Sequence, residues 1–173
     1  MKNTTHLILG MLALTFGMEV KAQIQLPSVF SDGMVLQQNS KVAVWGWGNP
    51  SETLMILSEW NPGDTVRTVV DNQGRWKAEV PTGRAGGPYT LEVKGGNDSR
   101  KLSDVMLGEV WLCSGQSNME WSANMGIMNG EQEVKQAASP SVRIFHNPKQ
   151  GADNTFRPTA DTSGGGYSRS MRK

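Results

Sequence analysis

Short β-prone runs recur along residues 23–107, each followed by a turn motif, and no other pattern limits the possible folds of this chain as strongly. The runs are Lys41–Trp47, Glu52–Trp60, Thr65–Val70, Arg75–Val80 and Tyr89–Lys94. A spacing of about 8–12 residues with a turn between successive strands is typical of antiparallel sandwiches and barrels. Gly supplies 20 of the 173 residues, above the average of roughly 7%, which suits a turn-rich domain. We therefore expect an antiparallel β-sandwich-like domain over residues 23–105.

The stretch Asp71–Gly74 lies between two of these runs and has the composition of a tight turn. A short connection that contains Gly, between two β-prone runs, indicates a hairpin. We therefore expect the runs 65–70 and 75–80 to pair with each other.

The character of the sequence changes near residue 105. Val105–Ser114 is mainly apolar, which predicts a strand buried on both faces, as in a parallel sheet covered by helices. A helix-compatible segment at Gly130–Ala138 and a β-prone run at Val142–Phe145 follow. This order predicts the opening of an α/β domain over residues 106–158. An α/β domain that stops after two strands cannot keep both faces of its sheet covered, so we expect an incomplete domain. We expect a disordered tail to follow at 159–173, because this segment has little apolar surface to bury.

The N-terminal segment, residues 1–22, has the three parts of a secretory signal peptide: Lys2, an apolar run at Leu7–Met18, and a small residue, Ala22, before the expected cleavage site. A spanning helix needs about 20 apolar residues, and Glu19 closes this run too early. We therefore expect an exported protein, periplasmic or secreted, with no membrane contact after cleavage.

Charge and composition exclude several classes of function. The formal net charge is +1, so no electrostatic field would draw the chain to nucleic acid. The single cysteine, Cys113, excludes an internal disulfide. No Cys/His spacing fits a zinc site and no phosphate-binding loop is present, so we expect neither a metal nor a cofactor.

Ser117 is the candidate catalytic residue. It lies in a Gly-x-Ser sequence shortly after the predicted strand 105–114. A sharp turn after a buried strand lifts a serine hydroxyl out of the sheet, as in a nucleophile elbow, and open α/β sheets bind ligands at the carboxyl ends of strands. The residues alone favour the alternative, a turn serine that bonds its own backbone.

Five blocks of this sequence resemble the sialate O-acetylesterases, carbohydrate esterases of the SGNH-hydrolase type, in the order found in that family. They are Leu26–Gln37, Val44–Trp47, Gly74–Trp76, Ala85–Leu91 and Leu107–Trp121, the last of which resembles the family's nucleophile block. The resemblance implies a β-sandwich-like module followed by an α/β hydrolase domain. It also implies that Ser117 attacks the acetyl group of an O-acetylated sugar such as sialic acid, and that the Ser117 backbone N–H contributes to the oxyanion hole.

The catalytic base that the resemblance calls for has no match in this sequence. The family supplies it from an Asp-x-x-His block, and no such block occurs in the 173 residues. His146 follows the run Val142–Phe145, and we expect a solvated ring at a strand end rather than a base. We therefore expect an N-terminal portion of such an esterase without turnover of its own. The alternative is a non-catalytic β-sandwich module that binds carbohydrate or has a structural role.

Three further side chains have two interpretations each. Trp45 and Trp47 are two residues apart and therefore face the same side of a strand, where they either fill the core or stack on sugar rings. The core is the favoured position for such a pair. Cys113 has no basic neighbour in the sequence, which favours a small buried residue over a reactive thiol.

Overall fold

The computed structural model describes residues 23–115, 117, 121–123, 125–126, 128–136, 141–146 and 167–169. The predicted signal peptide at 1–22 lies outside these residues. The strands are β1 (Val35–Gln37), β2 (Lys41–Trp47), β3 (Thr53–Ser58), β4 (Thr65–Val69), β5 (Arg75–Pro81), β6 (Gly86–Gly95), β7 (Asp98–Gly108), β8 (Arg143–Phe145) and β9 (Tyr167–Arg169). Among these described residues, one helix, α1, spans Gly130–Gln136. Within the described ranges, no helix combines the length and apolar character that crossing a bilayer requires.

The strands form a five-stranded sheet in the order β1-β7-β6-β3-β4 and two-stranded sheets from β2 with β5 and from β8 with β9. The mostly β architecture predicted from the turn spacing is confirmed. The expectation of a wholly antiparallel arrangement is wrong in one place, because β1 runs parallel to β7, with Val35 opposite Met106. The carboxyl ends of these two strands therefore lie side by side.

One apolar core joins the larger sheet to the β2–β5 pair. Strand β5 shows how the sequence builds it, since Trp76, Ala78 and Val80 are buried while the residues between them are exposed. The buried apolar residues of the cluster are Ile24, Phe30, Met34, Leu36, Val44, Leu54, Ile56, Val70, Trp76, Ala78, Val80, Leu91, Val93, Leu102, Val105 and Leu107. Over the residues that the structure describes, no charged or polar residue is buried as a whole, although the side chain of Arg143 is only 6% exposed.

The turn at Asp71–Gly74 forms, but the hairpin predicted from it is wrong. The Asp71 carboxylate accepts hydrogen bonds from the backbone N–H groups of Gln73 (2.8 Å) and Arg75 (2.9 Å), and Gly74 has a φ of 75°. The bond from the Arg75 N–H is the main cause of the lowered pKa of Asp71. However, β4 pairs with β3, and β5 pairs with β2. The same turn chemistry here passes the chain from one sheet to the other.

The apolar run at 105–114 does not form the buried strand predicted for it. Strand β7 ends at Gly108, and the next residues are exposed, with 84% of Trp111 and 94% of Leu112 open to solvent. Cys113 is also exposed, which corrects its predicted burial. The run contributes Val105 and Leu107 to the β-domain core instead, and no described element covers the remainder.

The later elements agree in part with the sequence. Helix α1 and strand β8 lie where the sequence predicted them. Strand β8 pairs antiparallel with β9, so the described residues do not confirm the opening of a parallel α/β sheet. Strand β9 lies within the tail predicted to be disordered, and the remainder of that tail lies outside the described residues.

Candidate functional site

Ser117 lies on an exposed stretch and not at the end of a buried strand. The side chain is exposed, as are those of Ser114 and Gly115 before it. Strand β7 ends nine residues earlier, at Gly108. The buried strand expected directly before Ser117 is therefore not found over residues 109–115, while the elbow itself stays a prediction. The other members of the motif, Gln116 and residues 118–120, lie outside them.

The start of this stretch is attached to the ends of β1 and β7. The Glu109 carboxylate accepts a hydrogen bond from the Gln37 side-chain amide (3.0 Å) and a second from that of Gln38 (2.7 Å). The Val110 N–H donates to Oε1 of Gln37 (2.9 Å), and the Gln38 N–H donates to the carbonyl of Gly108 (2.8 Å). The side-chain amides of Gln37, the larger contributor, and Gln38 hold the pKa of Glu109 below its ordinary value, because their hydrogen bonds stabilise the ionised carboxylate.

A neighbouring loop braces the same two glutamines. Oε1 of Gln38 accepts a hydrogen bond from the Ala85 N–H (2.8 Å). The Thr82 hydroxyl contacts the carbonyl of Gln37 (2.7 Å) and accepts from the Ser40 N–H (3.0 Å). No local sequence pattern indicates this network, because its members come from segments that are distant in sequence and meet only in the fold.

A second attachment comes from Arg143 at the start of β8. Its side chain is only 6% exposed. The guanidinium donates to the carbonyl of Gly33 (2.8 Å), to the carbonyl of Asp104, and to the Asp104 carboxylate (2.9 Å). Asp104 has a φ of 56°, a left-handed conformation that Asp tolerates better than most residues. Arg143 thus fastens β8 to the β1–β7 region, and the sequence analysis missed it.

His146 is exposed directly after β8, which confirms the solvated strand-end histidine expected from the sequence. No described contact joins it to Ser117. In the parts of the chain that the structure describes, no three His, Cys, Asp or Glu side chains are close enough together to hold a metal ion. An open depression near the start of α1 is lined by residues between Ala123 and Lys135 and contains neither Ser117 nor His146.

The two tryptophans of β2 correct a further prediction. Neither belongs to the apolar core, where the sequence analysis favoured placing them. Trp45 is 38% exposed and Trp47 is half-buried. They lie on the outer face of the β2–β5 pair, because Val44 and Gly46, the residues that alternate with them, are the buried ones.

Comparison with known proteins identifies relatives over most of the chain. The chain is 32% identical over 127 residues to the sialate O-acetylesterase of Mus musculus, an alignment that covers 68% of this chain and 23% of the relative. It is 30% identical over 166 residues to that of Homo sapiens, covering 83% of this chain and 31% of the relative. No family model matches the chain.

A solved structure agrees with these relatives. The crystal structure of a carbohydrate acetylesterase from Xanthomonas citri superposes with a TM-score of 0.71 at 34% identity, over 84% of this chain and 32% of that one. The resemblance noted in the sequence is thereby confirmed. The chain spans about a quarter to a third of the length of the proteins it matches.

Proposed function

The chain is a homologue of the sialate O-acetylesterases, and from this premise we propose that it provides the nucleophile-bearing portion of an esterase that removes O-acetyl groups from sialic acids or related sugars. The observation that carries the proposal is the exposed Ser117 in the motif Gly115–Trp121. A nucleophile must reach the substrate, and an exposed serine meets that requirement.

The proposed chemistry is a two-step acyl transfer. The Ser117 Oγ attacks the acetyl carbonyl carbon, forming a new C–O bond and a tetrahedral oxyanion. Collapse of this intermediate breaks the bond to the sugar oxygen, which leaves as the alcohol after it receives a proton. Water then attacks the acetyl carbon, the bond from this carbon to the Ser117 Oγ breaks, and acetate leaves as the serine oxygen regains a proton. The Ser117 backbone N–H is a candidate donor to the oxyanion, and one such donor is typically worth about 10²–10³ in kcat.

The base is the component that these residues do not supply. A serine hydroxyl is a weak nucleophile until a neighbouring group takes its proton. The sequence contains no Asp-x-x-His, and the remaining candidate, His146, is exposed with no described contact to Ser117. We therefore expect the 173 residues alone to release no acetate from an aryl acetate or from O-acetylated sialic acid above the buffer rate. Acetate release by the 173 residues that is abolished by Ser117→Ala would contradict this expectation and would make His146 the base.

A chimaera tests the role of Ser117 where a complete esterase is available. Residues 23–146 would replace the matching portion of the Xanthomonas citri carbohydrate acetylesterase, and acetate release would be measured. We expect an active chimaera whose kcat falls at least about 10³-fold with Ser117→Ala, as for the loss of an activated nucleophile. Ser114→Ala is the matched control, since Ser114 is also exposed on the same stretch. An active chimaera that tolerates Ser117→Ala, or responds equally to Ser114→Ala, would refute the assignment.

Export by a cleaved signal peptide forms part of the proposal. The residues on the C-terminal side of the expected cleavage site support it, since Ile24 is 1% exposed. The backbone of Ile24 is held by the Asp98 carboxylate (2.7 Å) and the Arg100 guanidinium (2.8 Å). The test is N-terminal sequencing of protein recovered outside the cytoplasm. A first residue of Gln23 is expected, and a retained Met1 on exported protein would refute cleavage.

A further inference from the structure

The outer face of the β2–β5 pair carries two tryptophans and two cations in adjacent positions. Trp45 lies directly opposite Lys77, and Trp47 lies opposite Arg75. Residues opposite each other in an antiparallel pair point to the same face. Lys77 and Arg75 are exposed, as is Trp45. We call Trp45, Trp47, Lys77 and Arg75 the aromatic face.

Packing holds the indoles of this face in a fixed arrangement. The Trp45 and Trp47 ring centroids are 5.5 Å apart with an interplanar angle of 74°. Phe30, which is only 8% exposed, packs edge-on against Trp45 at 6.1 Å. The two nearly perpendicular indoles therefore form a preformed angle on the surface, which reduces the ordering cost of binding a ring.

The polar atoms of the aromatic face are available to a ligand. Trp60 and Trp76 direct their indole N–H groups to backbone carbonyls. Among the described residues, none accepts a hydrogen bond from the indole N–H of Trp45 or Trp47, and none forms an ion pair with Lys77. Arg75 differs, because it is paired with Asp71 at 3.3 Å. Lys77 is therefore the cation of this face that is open to an anionic group.

We propose that the aromatic face binds a sugar that carries a carboxylate, of the sialic acid class, as an accessory glycan site of the β domain. The apolar side of the sugar ring stacks on Trp45. The indole N–H groups donate to sugar hydroxyls, and Lys77 pairs with the carboxylate. The inference uses the proposed function only to choose the sugar class, since the face lies outside the Ser117 stretch.

The test is a calorimetric or NMR titration of the full chain with N-acetylneuraminic acid and, separately, with its uncharged methyl ester. We expect saturable binding of the acid in the millimolar range. Trp45→Ala should weaken the binding of both ligands about tenfold, the loss expected for one aromatic stacking contact. Lys77→Gln should weaken the acid several-fold and leave the ester unchanged. Lys101→Gln, at an exposed position on β7, is the matched control and should have no effect on either ligand.

Several results would overturn the inference. These are the absence of saturable binding at tens of millimolar, binding that Trp45→Ala does not weaken, or an equal effect of Lys77→Gln on acid and ester. If Trp45→Ala fails to fold, two milder variants decide the result. Trp45→Phe keeps an aromatic ring at this position, and Lys77→Gln leaves the packing intact. The rival occupant of the aromatic face is a second copy of the chain, and sedimentation at two protein concentrations tests for it. Self-association that Trp45→Ala abolishes would also refute sugar binding.

The outcome is separable from that of the proposed esterase. Ser117→Ala should leave the titration unchanged while it abolishes acetate release by the chimaera. Sugar binding together with a chimaera that stays active after Ser117→Ala would contradict the role of Ser117 alone. A chimaera whose activity depends on Ser117, without sugar binding at the aromatic face, would contradict this inference alone.

Discussion

Arg143→Met should release β8 from the β domain while leaving the strands of the core intact. The guanidinium is almost fully buried and reaches across to Gly33 and Asp104, which lie next to β1 and within β7. Methionine has a similar length and adapts to irregular space, so the substitution removes the polar contacts with little change in packing.

The size of the effect follows from these contacts. Hydrogen bonds to a charged group contribute about 1.5–3 kcal/mol each, and those that share one guanidinium do not add fully. The Asp104 side chain is 37% exposed, so water can replace part of what its carboxylate loses. A net loss of about 2 kcal/mol in the attachment of β8 is therefore expected, which corresponds to a roughly 30-fold larger population in which β8 is detached.

Hydrogen–deuterium exchange measures this population directly. Amides of the peptide that spans residues 141–146 should exchange about 30-fold faster in Arg143→Met, because exchange follows the population of the open state. Peptides from β3 and β6 serve as the internal reference and should not change. Arg84→Met is the matched control, since it removes an arginine at an exposed position. Asp104→Asn, which suits the left-handed backbone there, should reproduce part of the effect.

The reasoning fails if the exchange of 141–146 changes less than about twofold in Arg143→Met, or if Arg84→Met gives the same acceleration. A uniform acceleration across β3 and β6 would instead show that Arg143 stabilises the whole β domain and not the attachment of one segment.

Three further predictions follow from the packing. Gln38→Ala should raise the pKa of Glu109 toward its ordinary value, as followed by carboxyl NMR, because a donor to the carboxylate is lost. The pKa of Glu109 in the folded chain lies below that in the unfolded chain, so this contact stabilises the folded chain at pH values above the ordinary pKa. The stabilisation is lost as the pH falls through the lowered pKa. Leu54→Ala should cost about 2–5 kcal/mol in urea unfolding, because Leu54 is fully buried, whereas Met55→Ala on the exposed side should cost far less. Gly46→Ala should separate the N-terminal segment from β2 and speed its amide exchange, since a Cβ there would meet a backbone carbonyl oxygen of that segment.

The β domain was largely predictable because its information is local. Runs such as Lys41–Trp47 alternate and end at a turn, so the strand boundaries follow from neighbouring residues. Pairing partners are not local. The turn at Asp71–Gly74 suits a hairpin or a sheet-to-sheet connection equally well, and the choice depends on β3 and β2, which are distant from the turn in sequence.

The predictions that the β2 tryptophans and the apolar run after Gly108 would be buried were wrong for a related reason. Apolar composition predicts burial only where another element is available to cover the side chain. Among the described residues, Trp111 and Leu112 have almost no such cover, and Trp45 is covered only in part, by Phe30 and Trp47. Val44 and Gly46 already fill the inner positions of β2, so the alternation of the strand places Trp45 outward whatever its hydrophobicity.

Two attachments that no local pattern predicts fasten the chain before and after the candidate site to the β domain. Glu109 fastens the start of the stretch that contains Ser117 to the end of β1, and Arg143 fastens its far side to Gly33 and Asp104. Both attachments use the same parallel pair, β1 and β7. The described residues on either side of the stretch that contains Ser117 are therefore tied to the region of the parallel β1–β7 pair, whereas the apolar run before Ser117 is exposed after Gly108.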